Sequence, residues 1–313
     1  MSMVITDDRH YANIAKMIRA KTGWSDRYAP SELAHAILAM PTADPDPIGL
    51  VDAIATDTLG TVMSGVLSGS ATAIPDSTFH DCTMVTGASF PQCSTIGTGA
   101  FAGCTSMSFA SFPYCSSVGT NAFNGCASLS RVSMPYCEYV HTSAFAGCTR
   151  LPTFDASVCR TIGNSAFQSC TSLSSVSLPM CTAIGSSAFS GCTSLPRMAL
   201  PACETIGMYA FYRDTSLSVA YMPKCSTIGS QAFSGCTLLV SLYLTGVSSV
   251  TTLAASTTFT NTPIGGYSTS AGRYGSVFVP SSLYASFIAA NNWSRISSRI
   301  ASMTDAQIAA LEF

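Results

Sequence analysis

Charge is scarce in this 313-residue chain: Asp, Glu, Lys and Arg together make 10% of it, against about 25% in an ordinary globular protein. Fourteen basic residues against sixteen acidic ones leave a net charge of −2. No global field therefore draws it to nucleic acid or to an anionic membrane. No run of eighteen uncharged apolar residues exists, which excludes a membrane-spanning helix. Histidine stops at four, His10, His35, His80 and His141, far apart in sequence, and no C-x-x-C pair accompanies them, so no metal site is specified. No G-x-S-x-G, H-E-x-x-H, P-loop or G-x-G-x-x-G stands between a strand and a helix, and the acidic residues fall at unrelated positions. The expectation is a protein without enzymatic activity and without a cofactor. The start, MSMVITDDRHYANIAKM, lacks the basic head and continuous apolar core of a secretory signal. It predicts synthesis in the cytoplasm, with any export by another route.

What is present is repetition. Phenylalanine recurs at Phe79, Phe101, Phe123, Phe145, Phe167, Phe189, Phe211 and Phe233, every 22 residues without slippage. A fixed period of this size marks a solenoid and overrides the two-domain prior that the length alone would set. Within the unit the order is Leu173-x-x-Val176-x-Leu178-x-x-Cys181, then Ile184-Gly185, then Ala188-Phe189-x-x-Cys192. The first part fits the leucine-rich-repeat template. It predicts a short strand ended by proline, with the strands stacked in parallel. A turn follows at Ile-Gly, where glycine would tolerate φ > 0. One helical turn then places Phe and the Cys three residues later on the same inward face. The threonines after the first cysteine (Thr105, Thr149, Thr171, Thr193, Thr215, Thr237) predict a stacked hydroxyl ladder.

Fourteen cysteines fall on an 11-residue grid from Cys82 to Cys236, broken only by Asp214, and make two columns of seven. Stacked strands about 4.8 Å apart would let neighbouring thiols bridge. Odd-numbered columns, the fit of free cysteine as a small buried hydrophobe and the missing signal favour buried free thiols over disulfides.

The whole unit resembles the BspA-type leucine-rich repeats of bacterial surface and phage proteins. The resemblance implies an α/β repeat solenoid, β-rich and right-handed, of about eight coils over 79–250. Ahead of it, residues 1–40 read as two short helices. The first has Tyr11, Ile14, Ala15 and Ile18 on one face and closes at Gly23; the second opens at Pro30-Ser31-Glu32 and carries Leu33, Ile37 and Leu38. The pattern Tyr11-x-x-Ile14-Ala15-x-x-Ile18-Arg19-x-Lys21-x-Gly23, then Tyr28-x-Pro30-Ser31-Glu32-Leu33-Ala34-x-Ala36-Ile37, resembles the N-terminal segment of tail-associated proteins in phages and prophages of gut Gram-positive bacteria. PTADPDP at 41–47 is a linker. Residues 50–75 read as a degenerate capping coil, with Met63 and Val66 at strand positions and Ile74 at the isoleucine position. The linker and this cap together occupy 41–78.

Beyond the repeats, 251–313 reads as a Tyr/Gly-rich loop and a C-terminal cap. Residues 251–276 predict a long loop, and Val277-Phe278-Val279-Pro280 a final edge strand. Ser281 and Ser282 then predict the cap of a helix with Leu283, Phe287 and Ile288, with Trp293 packed behind it. VPSSLYASFIAANNW resembles the C-terminal cap of the same phage-associated proteins. Ile296, Ile300, Ile308 and Leu311 predict a last apolar segment that covers the core or meets a second copy.

The informative positions are those where coils depart from serine on the outward side of the strands: Phe109, Arg131, Asp155, Arg197, Tyr221 and Tyr243. Others precede the second cysteine: Tyr114, Tyr136, Met180 and Lys224. Aromatic and arginine residues replacing serine can be binding hot spots, and drift on a surface that needs only solubility is the competing explanation. The expected ligand site is Tyr209, Tyr212, Arg213, Tyr221, Tyr243, Tyr267 and Tyr274, at the C-terminal end. The resemblances imply a phage tail-tip or fibre component, its hairpin meeting other tail or baseplate proteins and its solenoid a host cell-surface glycan or protein. They also allow a homo-oligomer. The alternatives are a BspA-like surface adhesin and a cytosolic interaction scaffold; no nucleic acid and no membrane insertion are expected.

Overall fold

The computed structural model describes residues 65–69 and 71–311; the hairpin read over 1–40, the linker and Met63 lie outside them. Each repeat contributes two strand segments that pair with the same segments one repeat away. Ser175–Ser177 lies parallel to Thr153–Asp155 with Val176 opposite Phe154. The two-residue strand Thr161–Ile162 pairs with Ala183–Ile184, Ile162 opposite Ile184. The two-residue strands make one nine-stranded parallel sheet from Ala73–Ile74 to Thr252–Leu253. The longer strands make a second face of eleven, from Gly65–Ser68 to Ile300–Met303. The chain is thus a parallel β-solenoid of about eleven turns, where eight coils were expected.

The longer face is interrupted twice, into sheets of four, two and five strands. The residue ahead of each strand donates its N–H to the previous coil: Ser130 to Ser108 at 2.9 Å, Ser174 to Pro152 at 2.8 Å, Ser218 to Pro196 at 2.9 Å. At 152 and 196 that residue is proline, which has no N–H. The breaks fall at those two coils.

The segment around each core phenylalanine is a run of turns, not the helical turn that the i, i+3 spacing predicted. Alternate N–H groups reach the next coil, Ser143 to Asn164, Phe145 to Ala166 and Gly147 to Gln168, each at 2.8 Å, while those between them donate three residues back, as Cys148 does to Phe145 at 3.1 Å. The chain enters the left-handed region before each alanine (Ser143 φ 54°, Ser165 φ 54°) and before each cysteine (Gly147 φ 74°, Gly191 φ 79°) to aim those groups along the solenoid. Coil-to-coil bonding thus replaces the i→i−4 ladder that a helix requires. The glycine after each isoleucine is a second correction. It does not adopt positive φ; a Cβ at Gly185 would lie 2.6 Å from backbone atoms of residues 163 and 164. At Gly185 the coils come too close for a side chain on that side.

The core is a stack of rings. Phe79 to Phe233 lie face to face along the coils with centroids 5.1–5.5 Å apart, all buried. Phe259 continues the stack at 5.9 Å from Phe233. All fourteen cysteines are free and buried. One column donates Sγ–H to the phenylalanine carbonyl a coil back (Cys104 to Phe79 at 3.0 Å, Cys170 to Phe145 at 3.1 Å). The other donates two residues onward, Cys181 to Ala183 at 3.3 Å. The threonine hydroxyls do not bond to one another: Thr171 donates to the Thr149 carbonyl at 3.4 Å and Thr193 to that of Thr171 at 3.5 Å.

Both ends depart from expectation in the register. In the first described strand Leu67 is buried and Val66 is 54% exposed, because the pairing shifts between Gly65 and Val66. Ile74 takes the buried isoleucine place as expected. Residues 251–265 are a further coil and not a loop. Leu253 holds the isoleucine position, opposite Ile228, and Phe259 the phenylalanine position. A longer spacing hid the unit. Only 266–275 projects, closed by an antiparallel bridge between Ser268 and Arg273. Ser276–Pro280 is not the edge strand, since Ile300–Met303 pairs beyond it. Ser281 and Ser282 belong to a 3-10 turn and give no side-chain cap to the helix Tyr284–Ala289. Trp293 is buried as expected; its Nε1–H donates to the Thr251 carbonyl at 2.6 Å, and Phe287 meets its ring edge-on at 5.3 Å.

Candidate binding surface

On the longer strands one residue turns inward and its two neighbours outward, so the outward positions stack in columns along the solenoid. The register places Tyr221 opposite Tyr243 and Tyr243 opposite Phe278. Tyr221 and Tyr243 stand 6.5 Å apart and tilted by 54°, while Tyr243 stacks on Phe278 at 4.7 Å and 14°. All three are half-buried. Phe278 was missed because a 35-residue step separates it from Tyr243 in place of 22; the outward place of Phe in Val-Phe-Val was the signal. At the other end Phe109 lies over Gly87, whose missing Cβ leaves room for the ring, and Arg131 covers it at 5.9 Å. Between the two groups the face is exposed and polar: Thr153, Asp155, Ser175, Ser177 and Arg197.

The other expected site residues lie on other parts of the coil. Tyr209 and Tyr212 belong to the turn segment around Phe211. They meet edge to face at 5.4 Å, and the Arg213 guanidinium lies 5.1 Å from the Tyr212 ring centroid. Tyr209 and Arg213 hold positive φ, 58° and 60°, at places other coils give mostly to Ser, Asn, Gln or Gly. Tyr267 and Tyr274 flank the projecting 266–275 segment, edge to face at 5.4 Å. The cation over Tyr274 is Arg299, at 3.5 Å. The seven residues therefore form three groups on three segments. A fourth pair, Tyr114 and Tyr136, stacks in parallel at 6.0 Å and stays 59% and 57% exposed at the turn that follows the long strands.

Among the described residues no cluster of three or more His, Cys, Asp or Glu is placed to hold a metal ion, and no helix is long and apolar enough to cross a membrane. The arrangement offers aromatic faces, hydroxyls and a few charges along a rigid repeat. It is chemistry for contact.

The family model described as BspA type leucine rich repeat region matches over residues 72–180 and 160–268. No curated protein matches the sequence. Among solved structures, a leucine-rich repeat protein from Bacteroides ovatus is similar with a TM-score of 0.52 and 20% identity, over 71% of this chain and 64% of that one. A leucine rich cell surface protein from Faecalibacterium prausnitzii matches 77% of this chain and 86% of its own at 17% identity and a TM-score of 0.38. The first of these likenesses concerns the fold alone. With the family model spanning well over half of its length, the chain belongs to the BspA-type leucine-rich-repeat family.

Proposed function

We propose that the protein is a non-enzymatic binding protein whose longer-strand face meets a cell-surface glycan or protein, and that it is a tail-tip or fibre component of a phage or prophage. One observation carries the binding reading: three aromatic side chains, Tyr221, Tyr243 and Phe278, stand in register at one end of a face whose middle, from Thr153 to Arg197, is exposed and polar. Such rings offer contact area at low entropy cost, and neighbouring hydroxyls orient what they touch. The phage assignment rests on the likeness of residues 11–37 and 279–293 to tail-associated proteins; residues 1–40 would dock to the particle. Family membership supports a second reading equally well, an adhesin on a bacterial surface. Flanking genes for tail tube, tape measure or baseplate favour the first, and a neighbouring secretion system the second.

The binding reading is tested with a double variant, Tyr221→Ser and Tyr243→Ser. It should weaken attachment to whole host cells by about 1–3 kcal/mol, with its circular dichroism and melting recorded alongside. If it attaches as the parent does, while Tyr114→Ser with Tyr136→Ser abolishes attachment, the contact lies at the exposed stacked pair and the longer-strand face is the wrong surface.

A further inference from the structure

One residue of the core is out of keeping with its column. Cys82, Cys104, Cys126, Cys148, Cys170 and Cys192 are followed by Asp214, then Cys236, and Asp214 is fully buried. The column is built for donors. Cys192 donates Sγ–H to Phe167 at 3.2 Å and Cys236 to Phe211 at 2.9 Å, each to the phenylalanine carbonyl one coil back. By the 25-residue step of Cys192 and Cys236, the Phe189 carbonyl is the acceptor that a donor at residue 214 would meet. A carboxylate has only acceptors to offer there, whereas a protonated carboxyl carries an O–H donor. Asp214 Oδ1 accepts the Cys192 N–H at 2.8 Å, and Oδ2 has no partner.

Among the described residues no countercharge comes to it. The adjoining side chains in the column are the Cys192 and Cys236 thiols, both pushed well up by burial and so uncharged near neutrality. Arg213, next in the chain, is exposed with its guanidinium over Tyr212. No ion pair among the described residues includes Asp214. Burial pushes its carboxyl well above the usual range, against the smaller opposing pull of the Cys192 and Gly191 N–H groups. The same coil carries Tyr209 and Arg213 in the left-handed region, where a side chain is strained. An ionised carboxyl buried without a countercharge is what would set this coil apart from its neighbours.

We propose that Asp214 is a proton-sensitive joint: the seventh coil closes around an uncharged carboxyl, and loss of its proton opens the turn segment 207–217 before the neighbouring coils open. The sign follows from linkage. The folded carboxyl titrates above its unfolded value of about 3.9, so its stabilising state is complete in acid and is lost as pH rises through the folded value. Mild acid tightens this coil; neutral pH loosens it.

The test uses the full chain with Asp214→Asn and, as the column's own residue, Asp214→Cys. Urea unfolding is followed from roughly pH 4.5 to 8, below the range where thiols ionise. The folding equilibrium of the parent should fall relative to both variants by up to tenfold per pH unit over part of that range. Hydrogen exchange, corrected for its intrinsic pH dependence, should speed up in peptides covering 189–217 of the parent and not of the variants. If parent and variants shift in parallel with pH, Asp214 does not titrate on folding and the proposal is overturned. If the gap is present but exchange rises alike in every coil, Asp214 titrates without being a local joint, and the proposal is equally overturned.

Discussion

Each buried position is used once per coil, so a single substitution is felt through its two neighbours. The cysteines make the point chemically. Burial pushes Cys181 to about 11 and Cys115, Cys159 and Cys225 to about 12, so the reactive thiolate is nearly absent at neutral pH. A thiol titration on the native protein should find few reactive groups, and one after denaturation without reductant should find most of the fourteen. A denatured count near zero would mean disulfides. The same shifts set an alkaline limit. A thiol whose folded value is raised stabilises the fold fully below its unfolded value of about 8.5 and ceases to as pH rises through the folded value. Unfolding midpoints should therefore drop steadily above roughly pH 8.5; a flat profile to pH 11 would contradict burial of the columns.

At the scale of the element, the strands are too short to specify themselves; what defines them is how closely coils approach. After most two-residue strands, Thr161–Ile162 among them, glycine lets the coil lie close against the preceding one, although Tyr139–Val140 and Thr252–Leu253 form with His141 and Ala254 at that place. Gly185→Ala would put a Cβ 2.6 Å from the backbone of the preceding coil. It should cost about 1–3 kcal/mol, read as a lower urea midpoint, whereas alanine at Gly266, with nothing within 4 Å, should change stability little. Equal effects at the two sites would mean that coil contact is not what selects glycine. The prolines at 152 and 196 act on the same ladder from the other side, removing one inter-coil donor each and dividing the longer face.

For the whole molecule, stability accumulates from neighbour to neighbour and the ends must be closed. The C-terminal end is closed by Trp293, packed against Phe259 at 6.0 Å, and by the strand Ile300–Met303. Residues 1–40, read as an attachment hairpin, give the prediction at this scale. Their deletion should leave the melting transition of the solenoid unchanged while abolishing incorporation into the parent particle or oligomer. Collapse of the truncated protein would make that segment a cap of the solenoid, and the docking idea would fail.

Much of this protein is legible in one dimension because its core is one-dimensional. A period of 22 means the same residue meets its own equivalent, and Phe167 between Phe145 and Phe189 could be read as a stacked ring before any coordinates. The buried cysteine columns followed from the same arithmetic. Decisions that depend on the distance between coils were not legible. The turns around each phenylalanine looked helical by spacing, but every second N–H group is claimed by the next coil, and no local pattern records that. The glycine after isoleucine looked like a turn residue and is a clearance. Insertion of extra residues hid Phe259 and Phe278 from a strict period, and the seven candidate site residues, neighbours in sequence terms, were dealt by the coil to three segments. Periodicity determined which residues stack; only the packing of one coil on the next decided which backbone groups bond, and which side chains share a face.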